Sequence, residues 1–388
     1  MTSIRKSTVF SKEDELGKGK GSGYEWMPLP PGYKFSHTPS RSTTRIQSPG
    51  TKRFDNIAYG MFSGTWEMQF MLDWNYLEPL QMVYEAYMPE KISEGKYRHS
   101  FRKSDVGRVE SYVFREAYNN KMAGGLEDEV IEIRGCVAKS ITFSKAAGTS
   151  QTQVTISGFY VFSKNLIGSI EKTDYSGYKN VNLAEYMCLF IGELKDENYV
   201  ANTESLTISI DNSAESVYNT CSPFAGQYEE GISSYAFSTV ALANDPRHYR
   251  LRLNSGGKDN THYQPMSKGL APIDEMHMIS YSEEAVNHDD SRVRAFEGSD
   301  NRLNIIVDRC VIKSVPYQSG DGSKLEDSIS SAECGEIYME FITSRPTYRL
   351  TKDNDHKLSS VVIPTSTSTP TPTPVDSESE TEGETETP

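Results

Sequence analysis

Apolar and polar residues alternate over several segments of this chain. In TWEMQFML, residues 65–72, every second side chain from Trp66 to Leu72 is apolar, and Thr65, Glu67 and Gln69 lie between them. Because successive side chains of a strand point to opposite faces, this period of two predicts a strand with one buried face. The same alternation, interrupted by Gly, Asn and Ser, predicts further strands within residues 109–118, 130–143 and 154–162.

The segment after the first of these strands changes to a helical spacing. In NYLEPLQMVYEAYM, residues 75–88, apolar side chains recur every three or four positions, and Pro79 fits the first turn of a helix. The pattern predicts a strand that runs into a short helix within a mainly β protein.

Both ends of the chain differ in composition from the middle. Residues 1–53 are rich in Gly, Pro, Ser and Lys, which predicts an extended arm that becomes ordered against another surface, or else a flexible terminus. Residues 346–388 pass into a Thr/Pro run and then alternating acids, which predicts a disordered, solvated tail.

Part of the first half recurs in the second half. GCVAKSITF at 135–143 matches RCVIKSVPY at 309–317, so that Cys136 and Lys139 correspond to Cys310 and Lys313. Two weaker matches keep the same order: MQFMLD at 68–73 with LTISID at 206–211, and REAYN at 115–119 with EEAVN at 283–287. An ordered series of matches indicates an internal repeat.

The distance between matched segments grows along the chain, which predicts an insertion near residues 223–275 of the second copy. We therefore expect one β unit at 54–170, a linker at 171–183 and a second β unit at 184–345.

Charge and cysteine content narrow the classes of function. The formal net charge is −14, with 54 acidic against 40 basic residues, which disfavours adhesion to a phosphate backbone. The five cysteines form no CxxC pair, and no apolar run reaches membrane-spanning length. We expect reduced thiols, no membrane partner and assembly in the cytoplasm.

No segment carries a recognisable catalytic or metal-binding constellation. NHDD at 287–290 and NSGGKDN at 254–260 lack the spacing of a metal site or a phosphate-binding loop, so both are interpreted as turns. We expect no enzyme activity, cofactor or metal. The repeated Lys139 and Lys313 either pair with carboxylates across a subunit boundary or extend along a sheet rim.

The order of these segments resembles the tail tube proteins of long-tailed bacterial and archaeal viruses. The resemblance is carried by SPGTKR followed by GTWEMQFMLDWNYLEPLQMVYE, by IRGCVAKSITFSKAAGTSQTQVTISGFYVF, by NTESLTISIDNSAES, and by VDRCVIKSV with GEIYMEFIT. It covers most of residues 48–345 and consists of a strand, a helix and paired later strands.

The resemblance implies two tandem β-sandwich units, each with a short helix, whose inner strands join those of neighbours into a barrel-like ring. Rings of the family usually hold six such units, so a doubled chain implies a trimer, with a hexamer of chains as the alternative. Stacked rings would form the tail tube of a virion, bound by tape-measure and terminator proteins, through which DNA passes without specific binding. Polar residues such as Glu67 and Gln69 would then line the lumen or simply face solvent.

A second class of function remains open from the sequence. A receptor-binding or adhesin-like β-sandwich would need an aromatic patch in its loops, and Tyr249 and Tyr263 in the predicted insertion could supply one.

Overall fold

A computed structural model describes most of the chain up to Thr343. The described residues are 6–30, 32–46, 56–74, 76–84, 86–103, 108–118, 129–146, 149, 151–167, 187–242, 273–281, 291–314 and 326–343. The predicted linker at 171–183, the predicted tail at 346–388, and Tyr249 and Tyr263 lie outside them.

The described residues are mainly β, as the alternating pattern predicts. The strands are β1 (Lys6–Lys12), β2 (Met27–Pro28), β3 (Lys34–Ile46), β4 (Asn56–Met71), β5 (Ala86–Ser93), β6 (Lys96–Arg102), β7 (Ser111–Tyr118), β8 (Glu129–Lys145), β9 (Gln153–Tyr160), β10 (Phe162–Ile167), β11 (Met187–Ile191), β12 (Tyr199–Asp211), β13 (Glu215–Tyr218), β14 (Ala225–Glu229), β15 (Ser234–Leu242), β16 (Ile273–Tyr281), β17 (Arg302–Ser314) and β18 (Glu326–Thr343).

The described residues include one α-helix, α1, at Arg292–Gly298, and short 3₁₀ helices at Glu78–Met82 and Asp196–Asn198. Helical structure does follow the first predicted strand, but it is the five-residue 3₁₀ helix, whose Leu80 is buried. Pro79 lies at its start, where a missing N–H costs no hydrogen bond. No helix in the described part of the chain is long and apolar enough to cross a bilayer.

All pairs among the described strands are antiparallel; sixteen of these strands join one branched sheet, while β13 and β14 form a separate hairpin. Among the described strands the sheet remains open rather than closing into a barrel. Long strands connect its parts: the first half of β8 pairs with β7 and β10, and its second half pairs with β9 and β12.

The resulting layers face each other across an apolar core. Phe35 of β3 stacks on Phe114 of β7 with ring centroids 4.8 Å apart, and Trp66 of β4 lies 5.1 Å from the same ring. The alternation predicted for β4 is confirmed, because Trp66, Met68 and Phe70 are buried while their polar neighbours point outward. Burial of such large side chains is the main stabilising contribution of this core.

The region predicted as an extended arm contributes directly to the sheet. β1 pairs with β7, β2 pairs with β1, and β3 pairs along its length with β4. The predicted insertion near 223–275 also contains structure, because β14 and β15 lie within its first twenty residues.

Candidate assembly interface

Eight strands follow one another across the layer that contains β4. Their order is β3–β4–β9–β8–β12–β15–β18–β17, and each neighbouring pair is hydrogen-bonded. The first four strands come from the first half of the chain and the last four come from the second half. The junction between the two groups is the pairing of β8 with β12.

The pairing registers of the first four strands recur in the second four. Trp66 of β4 is opposite His37 and Gly158, whereas Phe237 of β15 is opposite Ile208 and Ala332. These partners differ by 171 residues for His37 and Ile208 (208 minus 37) and by 174 for Gly158 and Ala332 (332 minus 158). β3, β4, β9 and β8 therefore correspond to β12, β15, β18 and β17.

The repeated lysines occupy equivalent irregular positions. The register of β8 against β9 shifts between Ala138 and Ser140, so that Lys139 has no opposite residue. The register of β17 against β18 shifts between Ile312 and Ser314, which leaves Lys313 in the same position. A β-bulge bends the strand that carries it. Because the bulge recurs, β8 and β17 bend at equivalent positions near their C-terminal ends.

Within one chain, the first four strands join the last four through antiparallel pairing of β8 with β12. Paired residues run from Asp211 opposite Ser140 to Leu206 opposite Lys145. Asn212, which is fully buried, donates its backbone N–H to the carbonyl of Lys139 at 2.8 Å. Its side-chain amide donates to the carbonyl of Ala138 at 3.4 Å. Main-chain pairing and the hydrogen bonds of the buried Asn212 therefore hold the two strands together at this junction.

The two ends of this eight-strand series are open edges. β3 pairs with β4 on one side and with no described strand on the other. On the side of β17 that corresponds to the β12 side of β8, β16 pairs only as far as Cys310. No described strand covers residues 311–314 on that side, and of residues 314–319, which correspond to the β12-paired segment 140–145, the structure describes Ser314 alone. Unpaired edges of this kind are templates for pairing with another chain.

The outward face of the series is rich in hydroxyl groups. Residues that lie directly opposite each other share a face, so Ser36, Glu67, Ser157, Ser140 and Asp211 form one row across five strands. The hydroxyls interact along such rows, with Ser140 Oγ 2.8 Å from Ser157 Oγ. Serine and threonine on this face are Ser36, Thr38, Ser40, Ser63, Thr65, Ser140, Thr142, Ser144, Thr155, Ser157, Ser205, Thr207, Ser209, Ser234 and Ser238.

Three of the four residues singled out from the sequence lie on or beside this face. Glu67 and Lys139 line the same open cleft, of about 660 Å³, and Glu67 accepts a hydrogen bond from Gln69 Nε2 at 2.8 Å. Lys139 is exposed and makes no ion pair with a described residue. Lys313 lies in β17, and its side chain is outside the described part. Lys139 and Lys313 therefore occupy equivalent positions of the repeat but lie in two different strands, β8 and β17.

The hydroxyl-rich face was not anticipated from the sequence, which drew attention to the acidic residues instead. The available signal was the serine or threonine at every second position of SITFS at 140–144 and SLTISI at 205–210. Each segment alternates small hydroxyl residues with Ile, Leu or Phe, which fits a strand with one apolar and one hydroxyl face.

The aligned cysteine of the first half belongs to the core. Cys136 is fully buried, and burial is the main cause that raises the pKa of its thiol well above the ordinary value. A thiol in this state is protonated and unreactive at neutral pH, which is typical of a structural position.

No protein-family model and no curated protein matches this chain.

Proposed function

We propose that this protein is a structural subunit of a viral tail tube, in which each chain supplies two tandem tube-type β units to a ring. The observation that supports this most strongly is the junction of β8 with β12 inside the chain. Because β17 corresponds to β8 and β3 corresponds to β12, the same junction can form between β17 of one copy and β3 of the next. The contact between neighbouring chains would thus reproduce a contact that already exists within each chain.

An association of this kind is head-to-tail, since it joins two different edges of identical chains. Head-to-tail contacts generate closed rings when the rotation between copies closes, and open filaments otherwise. Three doubled chains would close a ring of six similar units, and ring formation would pair both open edges. The rings would stack into the tube of a virion tail, capped and filled by other tail proteins.

The hydroxyl-rich face suits the lumen of such a tube. Serine and threonine hydroxyls hold water by hydrogen bonding but carry no charge, so they add no Coulomb attraction to a DNA phosphate. Each lysine or arginine contact would instead bind the backbone in a salt-dependent manner. Glu67 and Asp211 on the same face would repel the phosphates and so oppose the attraction of the two exposed lysines on or beside this face, Lys34 and Lys139.

The proposal is tested by negative-stain electron microscopy of the concentrated protein, together with mass measurement of the particles. Hollow rings or tubes with three chains per ring are the expected result. A protein that remains monomeric at high concentration would overturn the proposal, whereas six chains per ring would retain the tube and reject the doubled unit.

A pair of variants links the rings to the proposed edge. Lysines at an edge strand oppose strand addition, so Thr38→Lys with Ser40→Lys in β3 should abolish rings. Ser163→Lys with Asn165→Lys adds the same charge to β10, which pairs only with β8 among the described strands and takes no part in the proposed contact. Rings should survive in this control; loss of rings in both variants, or in neither, would argue against the β3 edge.

A further inference from the structure

Two cysteines face each other across adjacent strands near the open edge of β17. Cys310 of β17 is directly opposite Cys334 of β18 in an antiparallel pair. Opposite residues of such a pair have Cα atoms about 4.5–5.5 Å apart, which falls within the range of about 4.4–6.8 Å that a disulfide spans. Both cysteines are present as free thiols.

The side chains of Cys310 and Cys334 lie on the same face of the sheet, because directly opposite residues of paired strands share a face. Cys310 is fully buried, and Cys334 is half-buried and packs against the same apolar cluster. The pKa of the Cys334 thiol is raised, first by its hydrogen bond with Cys310 and then by burial. Both side chains already lie on one face of the sheet, so a bond between them requires no change in the pairing of β17 with β18.

The first half of the chain has no such pair at the equivalent position. Cys334 is opposite Tyr235 as Tyr160 is opposite Gly64, so Tyr160 takes the place of the second cysteine. The ring of Tyr160 lies near Cys136, whose charge contributes to raising the pKa of the phenol to about 12 after the larger effect of burial. A thiol pair is thus specific to the half that carries the open β17 edge.

We propose that Cys310 and Cys334 form a reversible disulfide that joins β17 to β18 when the protein meets a small-molecule disulfide oxidant. At alkaline pH the small thiolate fraction of Cys334, the more exposed sulfur, attacks the oxidant and releases one small thiol, which leaves a mixed disulfide on Cys334. The thiolate of Cys310 then attacks the Cys334 sulfur and releases the second small thiol. Two protein S–H bonds are lost, one S–S bond forms, and the oxidant takes up two electrons and two protons.

The position of the pair gives the disulfide a structural consequence. Cys310 is the last residue of β17 that pairs with β16, and the uncovered residues 311–314 follow directly. A covalent link at this point holds β17 against β18 at the base of the edge and closes a loop in the unfolded chain, which stabilises the fold. The proposal depends only on contacts within one chain and stands whether or not rings form.

The experiment uses the full chain with Cys221→Ser, because Cys221 is exposed and could form disulfides between chains. The folded protein is incubated with oxidised glutathione at pH 8.5, where more thiolate is available, and is then blocked, digested with trypsin without reductant and analysed by mass spectrometry. The expected product is fragment 310–313 joined to fragment 325–349, lighter by two hydrogen atoms than the separate peptides. The number of free thiols should fall from four to two.

Oxidation should also raise the midpoint of thermal unfolding by several degrees, and reductant should reverse the rise. With Cys334→Ser in the same background, oxidation should leave both the midpoint and the fragment pattern unchanged. Separate, unlinked fragments from the oxidised folded protein, a glutathione adduct that persists on Cys334, or a link that forms only in denaturant would each overturn the proposal.

Discussion

Gly135 and Arg309 adopt the same left-handed backbone conformation, with φ angles of +63° and +47°, each one residue before the aligned cysteine of its strand. The irregularity of β8 is thus reproduced in β17 even though one position holds glycine and the other arginine. Gly135 also donates its N–H to the carboxylate of Glu13 at 3.0 Å. The shared conformation indicates that the backbone path, more than the side chain, is repeated between the two halves.

Substitutions at these two positions should have opposite effects on stability. A Cβ atom on Gly135 would lie 2.3 Å from Val161 Cγ2 and would require left-handed backbone strain, so Gly135→Ala should lower the free energy of unfolding by about 2 kcal/mol or more. Arg309→Gly removes the same strain and should be neutral or stabilising by up to about 1 kcal/mol. Urea denaturation measures both, and a destabilising Arg309→Gly with a neutral Gly135→Ala would contradict the equivalence.

The carboxylate of Glu13 should make stability fall as the pH rises. Glu13 is 2% exposed, and burial raises its pKa from 4.5 to about 7 against the opposing hydrogen bonds from Gly17, Gly19 and Gly135. The folded state therefore keeps a proton that the unfolded chain releases near pH 4.5. Stability should decline between about pH 4.5 and 7, by roughly 3 kcal/mol, and level off above that range.

Glu13→Gln removes this titration, so the variant should lack that decline when urea denaturation is repeated from pH 5 to pH 8. Glu15→Gln, which changes an exposed carboxylate on the same loop, is the matched control and should keep it. An unchanged pH profile in Glu13→Gln would show that another group is responsible.

Glu132 should have the opposite pH dependence. Its carboxylate, 1% exposed, lies 2.6 Å from Arg115 Nε, 2.5 Å from Arg134 Nε and 3.3 Å from Lys164 Nζ. Burial opposes ionisation, but the hydrogen bonds from the two arginines outweigh it and lower the pKa. The stabilisation is therefore present above the pKa of the unfolded chain and is lost as the pH falls through the lower folded pKa.

Glu132→Gln should lower the free energy of unfolding at pH 7 by about 2–3 kcal/mol, because three cations lose their shared counter-charge. Glu129→Gln in the same strand changes an exposed carboxylate and should cost less than about 0.5 kcal/mol. Equal effects from the two substitutions would mean that the buried cluster contributes nothing beyond a surface contact.

Local features of this fold can be predicted from the sequence more reliably than the pairing of its strands. Alternation in β4 and the matching Cys–Val–x–Lys–Ser segments of β8 and β17 were visible as patterns, and the structure adds that both lysines lie at bulges. These features could be predicted because side-chain alternation and strand irregularity are recorded within a few neighbouring residues.

Strand partners could not be predicted in the same way. The sequence match aligned Leu206 with Met68, whereas the pairing registers align Leu206 with Phe35 and Met68 with Thr239. Every strand with one buried face shows the same alternation, so β12 resembles β4 and β3 equally well, and only the neighbouring strands distinguish them. The hydroxyl-rich face was missed for a related reason, because it is assembled from six strands that come from separate parts of the sequence.

The central claim is that β17 of one copy pairs with β3 of the next as β8 pairs with β12. The Ser140–Asp211 pair of the internal junction corresponds, through the offsets of 174 and 171 residues, to Ser314 and Ser40 of adjacent copies. The most direct measurement is disulfide cross-linking of Ser314→Cys with Ser40→Cys in the Cys221→Ser chain, read on a non-reducing gel against Ser140→Cys with Asp211→Cys as the internal control.

The control pair should cross-link within single chains and remain at monomer size. The Ser314→Cys and Ser40→Cys pair should give a ladder of covalent oligomers that ends at a closed species, while either substitution alone gives monomer. A control that cross-links while the test pair stays monomeric at assembly concentrations would contradict head-to-tail pairing of these two edges.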